Sequence, residues 1–83
     1  MYYVTLFEGD KLYNGQIEYT VVKFRNRCLE NLAILQRYTY CPFVVARDVQ
    51  PKGDGTYTWA WGHYFNSLEH AKADFDERLQ KLL

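Results

Sequence analysis

Cys28, Cys41, His63 and His70 are the side chains in this chain best suited to hold a metal or move a proton. Structural zinc sites draw two ligands from one tight knuckle, C-x₂₋₄-C or H-x₃₋₅-H. The cysteines lie 13 positions apart and the histidines seven, so neither pair makes a knuckle and no metal or other cofactor is expected. Cys41 or Ser67 beside a histidine would be the raw material of a nucleophile, but neither sits in a nucleophile elbow. Ser67 reads as part of a helix start, and Cys41, just before Pro42, as a small thiol at a strand entrance. Asp74, Asp76 and Glu77 fall on the polar side of a helical pattern, where carboxylates keep a surface solvated. Gly53-Asp54-Gly55 is too short and too acidic for a phosphate loop and reads as a hairpin turn. The chain is expected to have no enzymatic activity.

Binding chemistry is better represented. Aromatic residues make up 18% of the 83 residues, more rings than a domain of this size can bury. Tyr2, Tyr3, Tyr13, Tyr19, Tyr38 and Tyr40 extend the set beyond the aromatic strand, so at least one aromatic patch is expected at the surface. In the run Thr56 to Phe65, alternation assigns Tyr57, Trp59, Trp61 and His63 to one strand face. That face either seals a core or is displayed, with Trp61 the tryptophan better placed for the core. Tyr, Trp and Arg are the residue types that anchor interfaces. Tyr13, Tyr57, Trp59 and Arg47 are therefore the first candidates for a partner-binding surface, with Lys23, Arg25 and Arg27 as nearby cations. A protein partner is the leading expectation. Single-stranded nucleic acid stacked on the same rings, with the cations of a basic strand–helix junction on the phosphates, is the alternative. Ten basic residues cancel ten acidic ones, an unpromising balance for a polyanion binder. An open aromatic sheet face also predicts a weak homodimer.

These residues need a scaffold. Tyr2 to Glu8 alternates as a strand, and Asn14-Gly15 marks a hairpin. Ile17 to Phe24 is β-branched and reads as the returning strand, with a helix from Thr20 as its competitor. Asn26 fits an N-cap for a helix through Leu29, Leu32, Ala33 and Leu35. Phe43 to Arg47 is a strand, Pro51 to Gly55 a turn, and Thr56 to Phe65 a further strand. Asn66, with Glu69 three residues later, opens a helix whose stripe is Leu68, Ala71, Phe75, Leu79 and Leu82. The predicted strands are 2–8, 16–24, 43–49 and 56–65, and the predicted helices 26–38 and 66–82. Laying residue n over n+40 places Tyr3 on Phe43, Gly15 on Gly55 and Asn26 on Asn66. The expected architecture is thus a single α+β domain, ββαββα, with a four-stranded, mostly antiparallel sheet and two helices. Its two hairpin–helix halves would be roughly residues 1–40 and 41–83.

Trp61-Gly62-His63-Tyr64-Phe65, followed by Ser67-Leu68-Glu69 and Ala71, resembles the endings of small uncharacterised proteins of gut Firmicutes and their phages and mobile elements. The resemblance covers residues 43–79 and carries no established activity. It implies a setting in which compact anti-defence inhibitors, anti-CRISPR proteins among them, work by occluding a host protein's surface. No apolar run approaches the ~20 residues of a membrane span, and the N-terminus lacks a signal-peptide pattern. With both cysteines read as free thiols, a cytoplasmic location and no membrane partner are expected.

Overall fold

The run Leu32-Ala33-Ile34-Leu35 has no polar face, and in a computed structural model, which describes residues 4–27 and 30–81, it lies in the central strand of a sheet. The elements are β1 (Lys11–Asn14), β2 (Ile17–Arg27), β3 (Glu30–Gln36), β4 (Phe43–Arg47), β5 (Gln50–Pro51), β6 (Tyr57–Thr58), β7 (Trp61–Phe65) and α1 (Leu68–Lys81). β1, β2, β3, β4 and β7 form one antiparallel sheet in that order, while β5 and β6 make a separate two-stranded ribbon. Gly15, at φ 62°, opens the two-residue loop between Asn14 and Ile17, where a hairpin turn wants a residue tolerant of positive φ. β2 bulges between Val21 and Lys23.

The expected ββαββα arrangement is corrected: among the described residues there is one helix, five strands share the main sheet, and the two halves are not repeats. The first predicted helix fails because Glu30–Gln36 is a strand, paired with β2 on one side and β4 on the other. A strand covered on both faces loses its polar–apolar alternation and reads like a buried helix segment. Asn26 is a β2 residue, not a cap; its Nδ2 donates to the Val4 carbonyl at 3.2 Å. Of the predicted strand 2–8, residues 4–8 form no ladder and instead cover the sheet, and residues 2 and 3 lie outside the described residues. The predicted strand 56–65 is broken between Thr58 and Trp61, where the Ala60 N–H donates to the Arg47 carbonyl at 3.0 Å. The helix begins at Leu68 rather than at 66, and its cap moves one residue from Asn66. Ser67 takes the cap, its Oγ accepting from the His70 N–H at 3.4 Å.

Two cores result, one on each face of the sheet. Leu32, Ile34 and Val45 meet Ala71 and Phe75 of α1, with Trp61, Phe65, Leu68 and Leu79 closing the margin. On the other face Leu12, Tyr19, Val21, Phe24, Ala33, Leu35, Val44 and Ala46 are covered by Val4, Leu6 and Val49, with Tyr57 and Trp59 packed against them. No helix is needed there, because the N-terminal segment and the ribbon form the lid. Asn31, 2% exposed, fastens that lid. Its Nδ2 donates to the Val49 carbonyl at 3.0 Å and its Oδ1 accepts from the Val49 N–H at 2.7 Å. Among the described residues no helix is long and apolar enough to cross a membrane.

Candidate functional site

The break at Ala60 reverses side-chain parity, so Trp59 and Trp61 go to opposite faces of the sheet. The expected single aromatic stripe does not exist. Trp59 packs edge-on to Tyr19 with ring centroids 5.1 Å apart, and a Cβ at Gly62 would come within 3.1 Å of its indole nitrogen. Trp61 lies on the helix side beneath the Arg78 guanidinium, 3.9 Å from the ring centroid. Both tryptophans close cores and both are partly buried.

The other sequence candidates are scattered. Arg47 is held by Glu30 through two bonds of 2.9 and 3.1 Å, which raise its already high pKa. Lys23 lies 3.7 Å from Asp76 and 5.1 Å from the centroid of the Phe75 ring. The Arg25 guanidinium donates to the Phe24 carbonyl at 2.7 Å, and Arg27 ends β2. Tyr13 sits at the opposite end of the β1–β2 hairpin; its hydroxyl donates to Glu18 at 2.7 Å, which raises the phenol's pKa. Tyr57 is half-buried in the ribbon and its carbonyl accepts from Asn14 at 2.9 Å. The structure does not bring these seven residues together.

A different group does converge. Thr20 pairs with Gln36, Gln36 with Phe43, and Phe43 with Phe65, so the β1–β2 turn, the β3–β4 loop and the end of β7 share one end of the sheet. The exposed large apolar residues there are Tyr38 (88% exposed), Tyr40 (84%), Ile17, Tyr13 and Tyr64; Phe7 lies apart, in the turn before β1. The loop carrying Tyr38 and Tyr40 is held at its base by the Arg37 N–H donating to the Pro42 carbonyl at 2.8 Å. Cys41, a half-buried free thiol, takes the left-handed conformation at φ 51° that turns the chain back into β4.

Arg37 organises this end. Its guanidinium lies 4.7 Å from the centroid of Tyr64 and 6.0 Å from that of Tyr19. Nη1 donates to the Tyr19 hydroxyl at 3.3 Å and Nη2 to the Tyr40 carbonyl at 3.2 Å. Its Nε is buried and has no partner among the described residues. Stacked on rings and bonded to the loop, the guanidinium fixes the backbone under Tyr40 while leaving the phenol rings outside.

Other clusters offer less. Arg47, Arg78 and Lys81 surround Leu32 at a shallow hollow of about 180 Å³, but each cation already has its own carboxylate, Glu30, Asp74 and Glu77. Among the described residues no group of three His, Cys, Asp or Glu side chains gathers to hold a metal. His63 Nδ1 is 3.6 Å from Asp74, which is bonded more closely to Arg78 at 2.8 Å. The sequence counts Tyr38 and Tyr40 among the rings that must partly reach the surface, but the predicted helix 26–38 hides the loop that gathers them. Its signal was present in Arg37-Tyr38-Thr39-Tyr40-Cys41-Pro42, two tyrosines alternating with polar residues before a proline. No family model, curated protein or solved structure matches this chain.

Proposed function

We infer that this protein is a non-catalytic protein-binding module whose contact surface is the tyrosine tip of the β3–β4 loop. The observation that carries this reading is the near-complete exposure of Tyr38 and Tyr40 on a loop that Arg37 holds in place. Exposed rings on a mobile loop would lose freedom on binding, whereas rings on a fixed backbone lose only their side-chain rotamers. Tyrosine brings large contact area with few rotatable bonds, so the tip suits a partner with a pocketed, partly apolar surface. Ile17 and Tyr64 widen the patch, and Tyr13 flanks it. Binding of this kind acts by covering the partner's surface, which is also how the anti-defence inhibitors suggested by the resemblance would work.

Single-stranded nucleic acid is the second reading. The tip can stack bases, but its nearest cation, Arg37, is already engaged by two rings and two oxygens. The basic strand–helix junction expected near Arg25 and Arg27 is a strand end, remote from the tip. The test is retrieval from a nuclease-treated lysate of the organism that carries the chain, with wild type beside the Tyr38→Ala/Tyr40→Ala double variant. A protein held by wild type and lost by the variant is the expected result. Retrieval only of nuclease-sensitive material, with affinity falling steeply in salt, would move the assignment to nucleic acid.

A further inference from the structure

The two edges of the main sheet are unlike. β1, at one edge, has four residues, carries Lys11, and is flanked by the ribbon through the bond from Asn14 to the Tyr57 carbonyl. β7, at the other, is Trp61-Gly62-His63-Tyr64-Phe65, and among the described residues it is laddered only to β4. It contains no lysine, arginine, proline or carboxylate. A strand bonded on one side turns alternate N–H and C=O groups outward, and natural proteins usually guard such an edge with those residues or with a cover. Among the described residues one edge of this sheet is guarded and the other is not.

We propose that β7 is a homodimer interface, pairing antiparallel with β7 of a second copy about a two-fold axis at His63. This centre gives every residue of the strand a partner. Trp61 faces Phe65 of the partner subunit on the helix-covered side, and Gly62 faces Tyr64 of the partner subunit on the other. His63 faces His63 of the partner subunit. Aromatic pairs directly across an antiparallel ladder are favourable, and a ring laid over a strand glycine shields its bare backbone. Gly62 already lies under Trp59, so the incoming tyrosine would extend that aromatic cover. The occupant is a copy of the chain because the strand is its own complement, with bulky rings flanking one small residue. A two-fold contact asks for this kind of self-complementary patch. The zero net charge sets no long-range repulsion against it. A five-residue pairing buries less than the ~1,200 Å² of a standard interface, so the dimer forms only at high protein concentration.

The inference does not depend on the tip reading: the interface is the flank of β7, Tyr64 borders both surfaces, and the exposed tip residues Tyr38 and Tyr40 take no part. Sedimentation equilibrium of wild type and His63→Lys tests it. The variant sets two ammonium groups against each other at the axis. Wild type should associate reversibly, and His63→Lys should raise the dissociation constant by at least about ten-fold while melting like wild type. Wild type still strictly monomeric at roughly 1 mM would overturn the proposal. A second measurement is independent of that variant's folding. In a Cys28→Ser/Cys41→Ser background, oxidation should cross-link His63→Cys and leave Lys11→Cys monomeric. Equal cross-linking of both, or of neither, would sink the register.

Discussion

At the scale of a single residue, Arg37 is where the fold meets the proposed binding tip. Its planar fork is bonded to Tyr19 and Tyr40 and stacks on Tyr64, a combination an ammonium cannot reproduce. Arg37→Lys should therefore weaken partner binding about ten-fold, ~1.4 kcal/mol, with both tip tyrosines intact. Tyr38→Ala/Tyr40→Ala should cost more, at least ~2 kcal/mol if the rings are hot spots, and leave the melting temperature unchanged. Titration calorimetry against the isolated partner, beside thermal melts, separates the two effects. A double variant that binds like wild type would remove the tip from the interface. Asn31 behaves oppositely. Asn31→Ala leaves the buried Val49 N–H and C=O without their partners, so unfolding in urea should show a loss of about 2–4 kcal/mol, with tip binding retained by whatever protein remains folded. Neither residue was legible beforehand. Which of eight tyrosines stands in solvent, and which asparagine is buried, depends on strand neighbours that only the folded chain supplies.

At the scale of elements, the sequence was clearest where one face of an element meets water. The stripe of α1 could be read because its opposite side carries Glu69, Lys72, Asp76 and Glu77, and Phe75 is buried as that stripe requires. The Asn14-Gly15 hairpin was legible from turn chemistry alone. β3 was not, because all five residues from Asn31 to Leu35 are buried and no periodicity survives. The Trp59/Trp61 pair was misassigned for another reason: one break at Ala60 reverses every side chain after it. Phe75→Ala should cost ~3–5 kcal/mol, a large share of a small domain's stability, as measured by chemical unfolding. An unchanged midpoint would mean that α1 is not essential to the core. The ribbon has its own sensitivity. Hydrogen bonds from the Thr56 hydroxyl and N–H lower the pKa of the Asp54 carboxyl, which caps the turn. A carboxyl depressed in the folded state contributes stability that is present above its unfolded pKa and lost as pH falls through the folded one. The ribbon should thus loosen only in acid, below the usual carboxylate range. Trp59 fluorescence should report this, and Asp54→Asn should flatten the response.

For the whole molecule, the decisive fact is that both faces of the sheet are covered, one by α1 and the other by the N-terminal segment and ribbon. The open aromatic face, which the sequence leaves as one alternative to a sealed core, is absent, and with it the ground for a face-to-face dimer. What remains available for contact is an end and an edge. They lie at right angles, since the tip is where β3 and β7 finish and β4 begins, and the proposed dimer runs along the flank of β7. Antiparallel pairing of two β7 strands sends the two tips in opposite directions. A dimer so built cannot press both tips onto one flat surface, so no avidity should appear on a plane of immobilised partner. In solution each tip can take its own partner, and the complex should grow to two copies of each protein. Sedimentation of the mixture at high concentration should show this assembly for wild type, a one-to-one complex for His63→Lys, and no complex for Tyr38→Ala/Tyr40→Ala. A two-to-two assembly that persists in His63→Lys would mean that the copies meet elsewhere, or that the partner itself brings them together.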